Sequence, residues 1–342
     1  MLLPYLAGLA KSWANSLRLL GAPKSALCIG LGQTRAAFIR DFVPILLGRL
    51  ALGKEQLIIT LNGSLFMEWS SSSFDQQVFG LLLGCAGRVT VVGERQRKKL
   101  VESGLPAERV EVVINSSELP PIGRERLEQK LVRAGPSEQV VHLLHLGSLI
   151  DTKGFPEYLE ALAQLSGQAG PPIEAVLCGP VVVSSYARRF HDLTSAERWI
   201  QIQIEAINQG TRVRVTWIRG AAGAEKSELF RNADIFVLPT RYAVEAQPLV
   251  LLEAMASGCA IITSDAGEIP TILDPDCARI MNDTSVEALT PVIAKLVAGR
   301  EERASLSRAA YQRYVSRYGM DHHLDHWEAL LRVAAKDLGG AL

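Results

Sequence analysis

The chain has 342 residues, 48% of them hydrophobic, with 36 basic and 36 acidic side chains. That length supports two α/β domains with proper cores. Zero net charge lacks the basic excess of a nucleic-acid binder, so no nucleic-acid partner is expected, and no apolar run reaches the ~18 residues of a membrane span. Five cysteines, Cys28, Cys85, Cys178, Cys259 and Cys277, are scattered and mostly in apolar segments. No pair has metal or redox spacing, so reduced thiols in a cytosolic protein are expected.

Residues 2–20 read as an amphipathic helix, with Leu6, Leu9, Trp13, Leu17 and Leu20 at helical spacing. Lys11 and Arg18 lie in the wrong places for a signal peptide. Residues 25–31 read as a strand ending in Gly30-Leu-Gly32, and residues 34–52 as a helix capped by Thr34 and kinked or broken at Pro44. The turn Gly30-Leu-Gly-Gln-Thr34 is not a full GxGxxG and reads as an ordinary tight turn. Strands follow at 56–61, 88–92 and 109–114, with helices at 74–86 and 94–103 between them. This alternation calls for a parallel, doubly wound sheet. From residue 118 to 139 the sequence turns polar, with Pro120, Pro121, Gly135 and Pro136, as a domain boundary does.

The second half opens with an apolar strand, 140–146, whose His142 and His145 read as packing or edge residues. The loop Gly147-Ser-Leu-Ile-Asp-Thr-Lys-Gly-Phe155 leads into a helix carrying Tyr158, Leu159, Ala161, Leu162 and Leu165. A strand at 173–177 ends in Cys178-Gly179-Pro180, and a long helical stretch is expected over 184–208. A strand at 212–218 closes at Arg219-Gly220, before a short helix at 225–231.

An apolar strand, 234–239, then runs into the stretch RYAVEAQPLVLLEAMASG, residues 241–258, and a second strand, 259–264, runs out of it. Pro248 suits a first helical position and Gly258 a left-handed stop. The amides of Leu249 and Val250 therefore open a helix beyond the carboxyl end of a buried strand, where phosphate binds. Glu245 and Glu253 frame this site. Glu253, set among Leu251, Leu252, Ala254 and Met255, needs a partner; a ribose diol and a buried salt bridge both serve. Helices at 286–298, 301–318 and 321–338 finish the chain. The string Asp274-Pro-Asp276 reads as a loop. His322 and His326 have zinc spacing but lack further ligands, so a solvated helix is expected there.

The motif EAQPLVLLEAMASG resembles the E-x7-E signature of the retaining glycosyltransferases of family 4, the glycosyl transferases group 1, which have the GT-B fold. The resemblance implies two doubly wound Rossmann-like α/β domains facing across a cleft, the first lacking its usual leading strand. Its boundaries would be an acceptor-side domain at 1–118, a linker at 119–139, a donor domain at 140–320, and a helix at 321–342 packing back on the first domain. It implies a hexosyl- or glycosyltransferase that moves sugar from a nucleotide-diphosphate donor to a glycan or lipid-linked acceptor with retention.

By the same resemblance, Lys153 and Glu245 are catalytic. Gly147, Ser148, Lys153, Gly179, Arg219, Gln247, Pro248, Leu249, Val250 and Glu253 bind the donor, and Asn62 touches the acceptor side. Ser148 stands where the family usually has Arg, Asn62 where it often has His, and Thr271 where it has Glu. No metal and no cofactor beyond the donor co-substrate are implied. The protein would be cytoplasmic, with peripheral association at the cytoplasmic face of the inner membrane as an alternative. Rival readings are a nucleotide-sugar epimerase, a glycogen-type phosphorylase, or a non-catalytic nucleotide-sugar-binding partner in polysaccharide assembly.

Overall fold

The computed structural model describes residues 13–14, 25–70, 72–133 and 140–336. The helix expected over 2–20 lies outside them apart from 13 and 14, as do the ends of the linker and of the last helix. The chain divides into two compact units. One holds residues up to Asn115 together with Ala243–Gln247 and the chain from Asp321 onward; the other holds Ser116–Tyr242 and Pro248–Met320.

The first unit is a four-stranded parallel sheet: β1 (Leu27–Gly30), β2 (Leu57–Leu61), β3 (Arg88–Val91) and β4 (Val110–Val112), paired in that order. Helices α1 (Arg35–Leu52), α2 (Phe74–Gly84) and α3 (Glu94–Glu102) connect the strands. The apolar strands bury Leu57, Ile59, Leu61, Val89 and Val91 against Phe38, Phe66 and Phe79. Thr34 caps α1 by accepting the Ala37 N–H, and Ser73 caps α2 by accepting that of Gln76.

Pro44 neither kinks α1 into two nor ends it; the helix runs unbroken through it. A proline cannot donate to the carbonyl four residues back. That carbonyl belongs to Arg40, and the Trp13 indole N–H donates to it at 3.1 Å. The last helix, Met320–Lys336, buries Leu330 and Ala334 against Ile58 and Val113, and His323 Nδ1 lies 2.7 Å from the Ile114 carbonyl oxygen.

The second unit begins with a correction. The stretch expected as a linker contains helix α4 (Arg124–Arg133), which packs Leu127 and Leu131 against Tyr311. Its Lys130 is buried and donates to the carbonyl oxygens of Ser257 (2.8 Å) and Phe230 (3.3 Å). Six parallel strands follow: β5 (Val141–Leu146), β6 (Ile173–Cys178), β7 (Val213–Ile218), β8 (Ile235–Leu238), β9 (Ala260–Ser264) and β10 (Arg279–Met281). Their order is β10-β9-β8-β5-β6-β7. The first strand is central, the next two lie to one side and the last three to the other, which is the doubly wound order.

Helices α5 (Phe155–Ser166), α6 (Leu193–Asn208), α7 (Gly223–Asn232), α8 (Leu249–Ala256) and α9 (Ile269–Ile272) lie in the crossovers, and α10 (Val286–Ala298) and α11 (Arg300–Arg317) follow β10. The helix expected over 184–208 starts only at Leu193, with Asp192 accepting the Ser195 N–H as its cap. Phe230 lies in the last turn of α7 and Ser257 caps the end of α8. Lys130 thus puts a cation on the negative ends of two helices. Lys130→Met should lower unfolding stability by about 1.5–3 kcal/mol, the worth of hydrogen bonds to a charged group. Equilibrium urea unfolding checks this; an unchanged midpoint would remove the role.

Candidate functional site

Strands β5 and β8 flank the reversal of winding, and their pairing is short. Only Leu143 with Ile235 and Leu144 with Phe236 are in register. At the next position the His145 imidazole takes over, with Nδ1 2.9 Å from the Val237 carbonyl oxygen. The register ends there, and the carboxyl ends of strands at a reversal of winding are where open sheets bind ligands. His145 is fully buried and stacks on Tyr158 at 5.5 Å between ring centroids. Burial pushes its pKa down to about 4; the Val237 bond opposes this and the Lys153 charge adds to it.

On the β5 side, the loops after β5 and β6 run together. The Gly147 N–H donates to the Cys178 carbonyl and the Leu149 N–H to that of Pro180. Gly179, at φ +145°, sits so close that a Cβ on it would collide with the Gly147 carbonyl oxygen. Only glycine allows that approach. Ser148 is exposed beside it. Lys153 ends a short turn ahead of α5, and its ammonium lies 5.2 Å from the centre of the Tyr242 ring. The Tyr186 ring meets Tyr242 edge-on at 5.7 Å.

The loop's own anchor escaped sequence reading. Asp151 Oδ2 accepts the backbone N–H groups of Arg188 (2.8 Å), Arg189 and Phe190 (3.1 Å). Three amides on one carboxylate hold residues 188–190 out of helix, which is why α6 begins late. On the β8 side, the Arg241 N–H donates to the Thr152 carbonyl, and its guanidinium bonds Glu157 and Thr284.

Helix α8 follows. Pro248 is its N-cap rather than its first helical residue, so Leu249 and Val250 open the helix. The first amides of a helix lack partners within it. Glu253 is 5% exposed on this apolar helix. Its Oε1 lies 2.5 Å from Lys226 Nζ on α7. Its Oε2 is buried with no hydrogen-bond partner among the described residues. The salt bridge weighed from sequence is therefore present, and it occupies one carboxylate oxygen. Lys226 and Glu225 also stand near Cys178, whose thiol is pushed up to about 11 by burial first, then by Glu225, with Lys226 opposing.

Arg219 pairs with Glu197 at 2.5 Å and lies 4.1 Å over the Trp217 ring, whose indole N–H donates to the Gly179 carbonyl. Gly147, Ser148, Lys153, Gly179, Arg219, Pro248, Leu249, Val250 and Glu253 all belong to the second unit. Glu245, Gln247 and Asn62 group with the first. Glu245 is buried, and Gln247 Oε1 accepts the Asn115 N–H at 2.7 Å. Asn62 is exposed after β2, in a loop whose Gly63 carbonyl accepts from both Gln33 and Gln96. Asp274 pairs with Arg313 in a turn, and His322 and His326 are exposed. Among the described residues there is no group of three or more metal-ligating side chains, and no helix long and apolar enough to cross a membrane.

The family profile described as Glycosyl transferases group 1 matches residues 128–313, more than half of the chain. The chain is 26% identical over 195 residues to a GDP-mannose-dependent alpha-(1-6)-phosphatidylinositol monomannoside mannosyltransferase of Mycolicibacterium smegmatis, covering 55% of this chain and 44% of that protein. It is 34% identical over 98 residues to an MMP alpha-(1->4)-mannosyltransferase of Mycolicibacterium hassiacum, covering 28% and 23%. The chain thus spans less than half the length of these relatives. Among solved structures, Anabaena Alr3699/HepE in complex with UDP superposes with a TM-score of 0.68 at 17% identity, covering 94% of this chain and 81% of that one. The alpha,alpha-trehalose 6-phosphate synthase from Burkholderia multivorans gives 0.67 at 12%, covering 98% and 78%. At these identities the superpositions establish the fold: two parallel-sheet α/β domains of the GT-B type.

The buried His145 makes stability depend on pH. Between 6.5 and about 4 the unfolded chain binds a proton that the folded chain does not. Stability is therefore complete above pH 6.5 and falls as pH drops toward 4, by about 3 kcal/mol at the lower end. Unfolding free energies at pH 7 and pH 5 should differ less for His145→Asn than for the parent chain. Identical differences would show that this imidazole does not set the dependence.

Proposed function

The chain belongs to the glycosyl transferases group 1 family, and we propose that it moves a sugar from a nucleotide-diphosphate donor to a glycan or lipid-linked acceptor with retention of anomeric configuration. The observation that carries this reading is the cluster of loops at the carboxyl ends of β5 and β8. It has Lys153 on one side and, on the other, a helix start with the unfilled Glu253 Oε2 close behind it. A lysine and free helix amides suit a diphosphate, and a carboxylate suits ribose hydroxyls. The names of similar proteins, a GDP-mannose-dependent transferase and a UDP complex, are in keeping with such a donor.

In this reading the bond between the anomeric carbon and the β-phosphate oxygen breaks, and the nucleoside diphosphate departs with the electron pair. The acceptor hydroxyl attacks from the same face, and the leaving phosphate takes its proton. Lys153 and the amides of Leu249 and Val250 stabilise charge growing on the β-phosphate. Glu253 accepts from the ribose, and Glu245 orients hydroxyls of the transferred sugar. Gly147, Ser148 and Gly179 let backbone approach the donor, with Arg219 toward the nucleobase and Asn62 toward the acceptor. With the departing phosphate as the base, this reading needs no metal. A lipid-linked acceptor goes with peripheral attachment to a membrane face.

A second reading, nucleotide-sugar binding without transfer, is favoured by Ser148, which puts a hydroxyl where the family carries a guanidinium. Sugar transfer to any acceptor, or slow donor hydrolysis lost in Lys153→Ala, separates the two. Lys153→Ala should cost about 10²–10³ in rate. Glu253→Ala should weaken binding of uridine or guanosine diphosphate at least about tenfold by calorimetry. Unchanged nucleotide affinity would take the ribose role away from Glu253.

A further inference from the structure

Lys226 is a polar residue that the reaction as described does not use. It is the fourth residue of α7, at the positive end of that helix, where a cation is disfavoured. Something else must hold it there, and Glu253 does. The Lys226 side chain is 24% exposed while that of Glu253 is 6% exposed, so the ammonium reaches inward from a half-open position to a buried carboxylate. Leu251, Leu252, Ala254 and Met255, all fully buried, surround Glu253 on its helix. None of them can hydrogen-bond a carboxylate through its side chain.

We propose that Lys226 is a positioning residue for nucleotide recognition: it holds Glu253 by Oε1 so that Oε2 remains to accept a single ribose hydroxyl. This rests on the nucleotide reading of Glu253. A carboxylate held in place with both oxygens free would accept both hydroxyls of the diol. Here the ammonium takes one oxygen at 2.5 Å, and the other is the one left without a partner. Buried acceptors left empty in a folded protein call for an occupant. Recognition therefore depends mainly on one of the two hydroxyls, and the other contributes little. Removing the ammonium frees the carboxylate to turn, and the discrimination between the two hydroxyls is lost with the fixed orientation.

The test is calorimetry with uridine, guanosine and adenosine diphosphates, each beside its 2′-deoxy and 3′-deoxy forms. The parent chain should bind at least one diphosphate and lose affinity at least about tenfold for only one of its two deoxy forms. Lys226→Met should bind that diphosphate about 10- to 100-fold more weakly and show no preference between the deoxy forms. Lys226→Arg should restore both the affinity and the preference. The same substitution in a Glu253→Gln background, where no buried charge is left stranded, should cost nothing further.

If Lys226→Met binds as tightly as the parent with the same preference, the positioning role is wrong. If it binds more tightly, the ammonium competes with the ribose and the proposal is overturned. An equal loss in the Glu253→Gln background would mean that Lys226 meets the nucleotide itself. Failure of the nucleotide reading has a different signature: the parent chain binds none of the diphosphates, or Glu253→Ala binds them unchanged, and the proposal falls with it.

Discussion

The short pairing of two neighbouring strands organises this molecule. Parallel strands hold together through slanted backbone bonds, and the register of β5 with β8 spans only two residue pairs, with one more bond from the Asp234 N–H to the His142 carbonyl. A buried carbonyl beyond the last pair must find a donor. His145 supplies it from a side chain, so the register ends without leaving Val237 orphaned. The loops beyond stay joined to each other, the Arg241 N–H bonding the Thr152 carbonyl and Gly154 packing on Pro239, while the first carries Gly147 and Lys153 and the second leads to α8. The cost is a histidine that must stay neutral inside the core.

Several charged groups of the second unit follow one rule: each takes its main partner from another element. Asp151 collects three backbone amides, Lys130 two helix-end carbonyls, Glu157 the Arg241 guanidinium, and Glu253 the Lys226 ammonium. Breaking such a pairing strands a charge in low dielectric, which is far more costly than never having buried it. These contacts therefore fix geometry more than they add stability. The contacts of Asp151, Glu157 and Glu253 hold loops and helices near the carboxyl ends of the strands, whereas Lys130 ties the ends of α7 and α8 near the amino ends of β8 and β9. Asp151 Oδ1, Glu157 Oε2 and Glu253 Oε2 are each buried without a partner among the described residues, and Glu253 differs in that its neighbours Leu251, Leu252, Ala254 and Met255 are all apolar.

Much of this was readable in the sequence, and the limits have physical causes. Apolar strands buried on both faces gave the alternation of β and α directly, and Thr34 marked a helix start as its cap. The spacing of Glu245, Pro248 and Glu253 marked the helix at the end of β8. What stayed hidden depends on partners distant along the chain. Residues 184–192 have helical composition, yet Asp151, some forty residues earlier, captures their amides. Residues 124–133 are polar enough to pass for a linker, and the distant partners of Leu127, Leu131 and Lys130, namely Tyr311 and the carbonyls of Phe230 and Ser257, explain why they fold as a helix. Pro44 signals a break until a tryptophan more than thirty residues away fills the vacated acceptor. The pairing of Lys226 with Glu253 has no local signature at all.

Asp151 and Lys153 share a single turn, two residues apart, and this has a mechanical result. Whatever pulls on the lysine also pulls on the carboxylate that grips the amides of residues 188–190. Tyr186, just ahead of those amides, leans on Tyr242 under the same ammonium. The three amides and the aromatic pair thus form a tether on the far side of the turn. Its slackness, read as the rate at which those backbone hydrogens trade with deuterated solvent, is a remote gauge of whether the site is filled.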